Sequence, residues 1–257
     1  MYTKEEINEL IPYLSASKIH TYLQCPNSFF MKYVDKFPEI ETNDSYANYG
    51  TLLHNIYENI ANGVYEQIET PIREYINAYD ECGLTDEQYE QYFEQGLESI
   101  REKWEFLHNV EVVQAEAKFS TKPLESVPKY FGFVDLVYKD ENGNLVVRDY
   151  KTSKKYSKSQ LSKNIQAYFY AEACLALYGE LPTYFEFDFV RFGEKTIIMI
   201  DENYMKFHRI RIEGIWKQIE MGIRTGKWTG FFCENFCGQR ENCPLYQERK
   251  NKGWGRK

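Results

Sequence analysis

This 257-residue chain has no long apolar run. Nothing in it approaches the ~18 to 20 consecutive apolar residues of a membrane span. The opening MYTKEEINEL also lacks the apolar core of a secretory signal, so a cytoplasmic location is the expectation. Basic residues are in deficit: 31 Lys and Arg stand against 39 Asp and Glu, a net charge of −8. That balance excludes a polyanion gripped by the whole surface and leaves any such contact to local patches. Internal repeats and low-complexity linkers are absent. Cysteine is scarce, six in all, and in a reducing compartment such residues serve as thiols or metal ligands sooner than as disulfides. What is present is an ordinary globular composition, 43% hydrophobic with a mean hydropathy of −0.61, at a length whose core needs no staples.

The first half reads as helical. Ser15 or Ser17 can cap a helix carrying Ile19, Tyr22 and Leu23, which Pro26 interrupts after Cys25. A short helix over Phe29 to Val34 follows, then helices over 49–62 and roughly 71–108. The latter stretch is acidic from Glu74 to Glu102 and reads as a solvated face. From residue 111 the period becomes two. Val113, Ala115, Ala117 and Phe119 alternate with polar residues, and runs at 130–139 and 144–152 flank the turn Glu141-Asn142-Gly143, which makes a three-stranded meander. A helix from about Gln160 to Tyr178, apolar at Ile165, Phe169, Ala173 and Ala176, stops at Gly179 and Pro182. Strands at 183–192 and 195–201 and a helix over 203–223, apolar at Phe207, Ile210, Ile215 and Ile219, complete the pattern. The expected fold class is α/β, a sheet flanked by helices in one compact domain. Its parts are a helical region over 1–110, a core over 111–202, and a C-terminal helix with a cysteine-rich end over 203–257.

The densest chemistry is Asp135 on one strand and Asp149-Tyr150-Lys151 on the next. Asp149 and Lys151, two apart on a strand, leave the same face. Two carboxylates hold a hard divalent cation such as Mg²⁺ or Mn²⁺ through oxygen, and a lysine beside them can orient or deprotonate a water while balancing phosphate charge. Cys82 and Cys174 stand alone in helical patterns and read as small buried hydrophobes. Cys25, Cys233, Cys237 and Cys243 could hold either a tetrahedral Zn²⁺ or a 4Fe-4S cluster, since both accept four sulfurs. Zinc sites usually use two tight pairs, whereas Cys25 stands 208 residues ahead of a C-x3-C-x5-C group. A group bound there would tie the N-terminal helix to the C-terminal segment.

In order along the chain, Gly50-x-x-x-His54, Glu116, Gly132-Phe133-Val134-Asp135, Asp149-Tyr150-Lys151-Thr152 and Gln166-x-x-x-Tyr170 resemble the PD-(D/E)xK nuclease superfamily in its RecB-like branch. With Ser15-Ala-Ser17 through Cys25-Pro26 ahead and the three late cysteines behind, the chain is similar to the iron–sulfur members of that branch. These are the AddB-type recombination nucleases and the CRISPR-associated RecB-like exonucleases. The resemblance runs from about residue 14 to about 246, and it departs from the superfamily's name in having Val134, not proline, before Asp135.

The resemblance implies a restriction-endonuclease-like core over 111–202 and metal-dependent hydrolysis of DNA phosphodiesters. The expected activity is that of an exonuclease on DNA ends in recombination, repair, phage DNA processing or CRISPR adaptation. It implies His54, Asp135 and Asp149 as ligands of Mg²⁺ or Mn²⁺, Lys151 as the catalytic lysine, Glu116 as an upstream acidic catalytic position, and Gln166 and Tyr170 as contacts to the nucleic-acid strand. It further implies that Cys25, Cys233, Cys237 and Cys243 hold a structural 4Fe-4S cluster in place of zinc. The rival reading is a catalytically inactive nucleic-acid-binding or scaffold subunit of a recombination complex, for which intact Asp135, Asp149 and Lys151 would have no use. A P-loop G-x-x-x-x-G-K-[ST] is absent, so unwinding would fall to a helicase or recombination partner.

Lys151, Lys154, Lys155, Lys158 and Lys163 form one basic group, and Arg249, Lys250, Lys252, Arg256 and Lys257 a second. Both suit phosphates of DNA, single-stranded or at ends, and the 22 Tyr and 17 Phe include rings able to stack on bases. The hairpin between the strands of Asp135 and Asp149 is constrained, because directly opposed residues share a sheet face. A two-residue Asn142-Gly143 turn would set Asp135 opposite Tyr150 and turn its carboxylate away. A three-residue loop over Glu141-Asn142-Gly143 sets Asp135 opposite Asp149 and Val137 opposite Val147. The longer loop, with Gly143 at positive φ in a G1 bulge, is therefore predicted, although Asn-Gly alone favours the shorter one.

Overall fold

The computed structural model describes residues 2–40, 44–157, 160–161 and 164–252. Lys158, Lys163, Arg256 and Lys257 lie outside the described residues. Among those described, the helices in chain order are α1 (Lys4–Leu10), α2 (Ala16–Gln24), α3 (Pro26–Tyr33), α4 (Ser45–Ala61), α5 (Glu69–Ala78), α6 (Asp86–Asn109), α7 (Gln166–Tyr178), α8 (Glu202–Glu220), α9 (Phe231–Asn235) and α10 (Pro244–Asn251). The strands are β1 (Tyr13–Leu14), β2 (Glu111–Thr121), β3 (Lys129–Lys139), β4 (Leu145–Tyr150), β5 (Tyr184–Phe189) and β6 (Glu194–Met199). None of the helices is long and apolar enough to cross a membrane. Two compact units interleave along the sequence. The first is Met1–Asn43, Lys122–Phe131 and Lys206–Lys257, and the second is Asp44–Thr121 and Gly132–Met205.

In the first unit a helix, α1, precedes the one expected from Ser15. Thr3 and Glu6 close a reciprocal capping box at 2.7 and 3.2 Å, and with Ile7 its one buried residue, α1 shows no amphipathic period. Ser15 caps α2 through the Lys18 N–H at 3.2 Å, as expected. The next helix starts three residues before the expected Phe29, with Pro26 at the first helical position, where a missing N–H costs nothing. Strand β1 pairs in parallel with Lys129 and Tyr130. Along α8 the buried residues are Met205, His208, Ile212, Ile215, Trp216 and Ile219, while Phe207 and Ile210 are 61% and 62% exposed. The apolar face is therefore rotated from the one expected, because Trp216 and Met205 outweigh the two exposed side chains in area buried.

The second unit holds a mixed sheet. β2 pairs β3, β3 pairs β4 antiparallel, β4 pairs β5 in parallel and β5 pairs β6 antiparallel. The meander of three strands is present, and α7 supplies the crossover that a parallel β4–β5 pair requires. Every residue of β4 is buried. Helices α4 to α6 pack a tyrosine-rich core in which Tyr49, Leu53, Ile56 and Tyr57 meet Tyr75, Tyr79, Leu97 and Ile100. The acidic stretch is split by a 3₁₀ turn, Tyr79–Cys82, and by Gly83 at φ +71°. The helix expected from about Gln160 begins at Gln166, and Ala176 is exposed, because the first turns of α7 are buried all round from Ala167 to Cys174.

The hairpin takes the longer loop. Leu136 pairs with Arg148, Val137 with Val147, Tyr138 with Val146 and Lys139 with Leu145. Asp140 N–H reaches the Asn144 carbonyl at 3.1 Å, and Gly143 sits at φ +78°. The Asp140 carboxylate accepts the N–H groups of Asn142 and Asn144, both at 2.9 Å. That side-chain turn overrides the local preference of Asn-Gly. The regular ladder ends at Leu136–Arg148, and beyond it the Asp135 carboxylate itself accepts the Tyr150 N–H at 2.9 Å.

Candidate active site

The site lies within the second unit and starts from the end of β4. Asp149 and Lys151 project together, with Lys151 Nζ 2.5 Å from Asp149 Oδ2. The Lys151 backbone is fixed to the neighbouring chain segment: its N–H donates to the Asp188 carbonyl at 2.8 Å, and its carbonyl accepts the Val190 N–H at 3.1 Å. Tyr150 faces the other way, its ring 4.8 Å from that of Tyr57. Gly132, which precedes Asp135 on β3, is tightly packed, since a Cβ there would lie 3.0 Å from the Phe119 ring. Glu116 takes φ +45° within β2, a left-handed conformation rare for a residue with a side chain. Such strain, retained where the surroundings hold it, marks functional positions.

His54 stands one turn after Gly50 on α4. Its Nε2 is 3.1 Å from the Tyr150 carbonyl. A carbonyl can only accept, so Nε2 carries the hydrogen. Nδ1 then faces Asp135 Oδ2 at 3.5 Å and Glu116 Oε1 at 4.0 Å. A lone pair aimed at two carboxylates is repulsive unless a positive charge lies among them, whether a proton or a cation. One donor atom from each of His54, Glu116 and Asp135 falls within 4.8 Å of the others, a set that could hold a metal ion. The chemistry of this donor set, one imidazole and carboxylate oxygens, suits a divalent cation.

The electrostatics agree. Burial first, and then the charge of Asp149, push the Asp135 carboxyl up to about 7 against the opposing pull of His54 and Lys151. Burial would lower His54, but Glu116, 4.0 Å from its Nδ1, and the charges of Asp135 and Asp149 raise it overall. Burial would likewise lower Lys151, and the charges of Asp149 and Asp135 outweigh it, so the lysine stays above its ordinary value.

Gln166 and Tyr170 lie a helical turn apart, and Gln166 Nε2 donates to Asp149 Oδ1 at 2.6 Å and to the Tyr170 hydroxyl at 2.9 Å. Asp149 is thereby held on both oxygens. Of the lysines that follow β4, Lys154 is exposed and Lys155 pairs with Glu194 at 3.1 Å. Sequence reasoning missed what lies beneath β4. Lys103, Arg148, Glu186 and Asp188 are all buried, with Lys103 Nζ 2.7 Å from Asp188 Oδ2, and Arg148 2.7 Å from Glu186 and 3.4 Å from Asp188. The signal was the alternation Phe185-Glu186-Phe187-Asp188-Phe189, which reads as a half-solvated strand.

In the first unit, Cys25, Cys233, Cys237 and Cys243 line one recess together with Trp228, Phe232 and Leu245. The N–H groups of Lys227 and Thr229 approach the sulfurs of Cys25 and Cys233 at 3.5 and 3.4 Å. Four cysteines around one largely apolar recess, two with backbone donors at their sulfurs, supply the donor type that a metal or cluster accepting four thiolates uses. Cys82 and Cys174 are buried, as expected of small hydrophobes.

Residues 13–244 match the family described as the PD-(D/E)XK nuclease superfamily. No curated protein matches the sequence at a significant level. Among solved structures, the chain is similar to a crystal structure of a protein from Eubacterium rectale that carries a provisional exonuclease name. The TM-score is 0.54 and the identity 14%, over 96% of this chain and 90% of that one. At that identity the likeness speaks for the fold alone.

Proposed function

Since this chain belongs to the PD-(D/E)XK nuclease superfamily, we propose that it is a divalent-metal-dependent deoxyribonuclease acting as an exonuclease on DNA ends. The observation that carries the reading is the convergence of His54, Glu116 and Asp135 beside the Asp149–Lys151 pair. His54, Glu116, Asp135 and Asp149 would hold Mg²⁺ or Mn²⁺, which when bound supplies Lewis acidity at a phosphate oxygen and lowers the pKa of water. Lys151, held above its ordinary pKa, is an ammonium at neutral pH. It would orient or deprotonate the attacking water while balancing phosphate charge. Gln166 and Tyr170 keep Asp149 turned toward the ion, besides the strand contact that the resemblance implies. Lys154 is free to meet a phosphate, and Lys155 could do so on leaving Glu194.

We assign the four-cysteine recess to a structural 4Fe-4S cluster that holds α2 to the segment around α9 and α10. Support comes from the wide ligand spacing and the four sulfurs about one recess. Recombination, repair, phage DNA processing and CRISPR adaptation are the settings that suit such an enzyme. The test is incubation of the cluster-intact protein with 5′- and 3′-labelled single- and double-stranded DNA in Mg²⁺ or Mn²⁺. Asp149→Ala and Lys151→Ala should each abolish metal-dependent cleavage with the fold retained. A purified protein that binds the strands yet cuts none under any of these conditions would leave the scaffold reading.

A further inference from the structure

Arg191 takes no part in the site described above, although it stands at its edge within the second unit. Its Nη1 donates to the Thr152 carbonyl at 3.2 Å and its Nε to Gln95 Oε1 at 2.8 Å. The guanidinium carbon lies 3.3 Å from the centre of the Tyr92 ring. Thr152 is joined to the site from two sides. It follows Lys151 directly, and a Cβ on Gly50, one turn before His54, would lie 3.5 Å from Thr152 Oγ1. With consecutive Cα atoms about 3.8 Å apart, the carbonyl contact keeps Nη1 within about 10 Å of the Lys151 Cα.

The groups that hold this cation, a carbonyl, an amide and a ring, are all neutral. Arg148 has Glu186 and Asp188 at 2.7 and 3.4 Å, and Arg224 has Asp35 at 2.5 Å. Arg191, partly buried, has no carboxylate within ion-pair reach among the described residues. Helix α6 could easily have supplied one, since Glu94 precedes Gln95 and Glu98 follows three residues on. A glutamate at position 95 would neutralise the guanidinium through the contact that Gln95 already makes, yet the position carries an uncharged amide. Charges taken out of water are normally paired, so a partly buried guanidinium held by neutral groups alone favours an anion from outside the chain.

We infer that Arg191 is a phosphate-binding residue at the edge of this site and, resting on the nuclease reading, that it holds a backbone phosphate of the DNA strand beside the one cleaved. The planar fork of arginine matches phosphate oxygens. Gln95, Tyr92 and the Thr152 carbonyl fix the position of that fork without cancelling its charge. Contacts of this kind set the register of a strand and do not read its sequence. A free phosphate offers the same oxygens, and the experiment separates the two.

Full-length protein in metal-free buffer, where the strand is not cut, is titrated with a fluorescein-labelled 20-residue oligothymidylate at several salt concentrations. Arg191→Met should weaken binding about three- to tenfold and reduce the slope of log K against log[salt] by about 0.7, while Arg191→Lys should keep the slope. Gln95→Glu pairs the cation in place, so it should also weaken binding, with a Tm equal to or above that of the wild type. A guanidinium that only braces Thr152 would be served at least as well by that carboxylate, so wild-type binding by Gln95→Glu would overturn the proposal. The same variant decides the matter if Arg191→Met does not fold. In a second arm, inorganic phosphate should shift the ¹⁵N resonance of Arg191 Nε, assigned by its loss in Arg191→Lys. A phosphate-induced shift without any change in strand binding among the variants would overturn the strand assignment in favour of free phosphate. Variants that bind the strand like the wild type, with Nε unmoved by phosphate, would overturn the site. If the wild-type protein binds no strand at all, it is the nuclease reading that fails, and the phosphate arm still decides the site.

Discussion

Asp135→Asn should stabilise the metal-free protein, and by an amount that depends on pH. The carboxyl is 11% exposed and its pKa rises from 3.8 to about 7 on folding, through burial and the charge of Asp149. A group that binds its proton more tightly when folded favours folding at low pH, and that advantage declines as pH rises from the unfolded pKa to the folded one. Across this window the slope is about 1.4 kcal/mol per pH unit. Between pH 5 and pH 8 the wild type therefore loses roughly 2 to 3 kcal/mol through this residue, most of it below pH 7. Asparagine does not titrate, and its oxygen can still accept the Tyr150 N–H that Asp135 accepts at 2.9 Å. The stability gap between variant and wild type should thus widen by roughly 2 to 3 kcal/mol over that interval. With an unfolding entropy of about 2.1 cal/mol/K per residue over 257 residues, this corresponds to about 5 °C in Tm. Urea unfolding in EDTA at pH 5, 6, 7 and 8 measures the gap directly. A gap that stays constant with pH would refute the reasoning, since Asp135 would then ionise as easily in the folded protein as in the unfolded one. The same variant should not cleave DNA, because the carboxylate that costs stability in the metal-free protein is the one that would hold the ion.

Cys25→Ser in anaerobically purified protein should lose iron and brown colour together with thermal stability, as one thiolate is removed from the recess. Stoichiometric zinc without iron in the wild type would sink the cluster assignment. Lys103→Met should cost about 3 kcal/mol in urea unfolding, because it leaves the buried Asp188 carboxylate with Arg148 at 3.4 Å as its remaining ion-pair partner, and a loss below about 1 kcal/mol would show that Arg148 suffices to compensate it. Gly132→Ala should cost about 1 to 3 kcal/mol through the 3.0 Å approach to the buried Phe119 ring. A neutral result would mean that the ring can move aside.

The strands of the candidate site were legible because a period of two places alternate residues on one face, so Asp149 and Lys151 had to emerge together and Asp135 had to follow by parity. The hairpin loop could be deduced from that demand, although the Asp140 carboxylate that enforces it went unread. Other features lack a local signature. His54 is a lone histidine on an apolar helix face until β2, β3 and β4 close around it, and the hydrogen bond from Gln166 to Asp149 spans 17 residues and two elements. Lys103 lies in an acidic stretch that reads as solvated, yet it is fully buried. A charge at a helix position tells nothing of whether a partner carboxylate waits behind it. The face of α8 was misplaced for a related reason, since isoleucine and phenylalanine spacing alone does not say which of two adjacent stripes is covered.

The two charged layers on either side of β4 depend on each other. Asp149 and Lys151 serve the site on one face, while Arg148 meets Glu186 and Asp188 on the other. A slip of one residue would exchange the faces. Arg148 would enter the site, and Asp149 would be driven against Glu186 and Asp188, three carboxylates with Lys103 alone among the buried cations to offset them. An unpaired buried charge costs several kcal/mol, far more than the backbone hydrogen bonds gained by any alternative pairing. An apolar lower face would tolerate such a slip more readily, because valine and leucine on a strand buried on both sides pack in either parity. The ion network beneath the sheet therefore serves less as added stability than as the feature that keeps Asp149 and Lys151 on the side where Asp135, His54 and Glu116 converge.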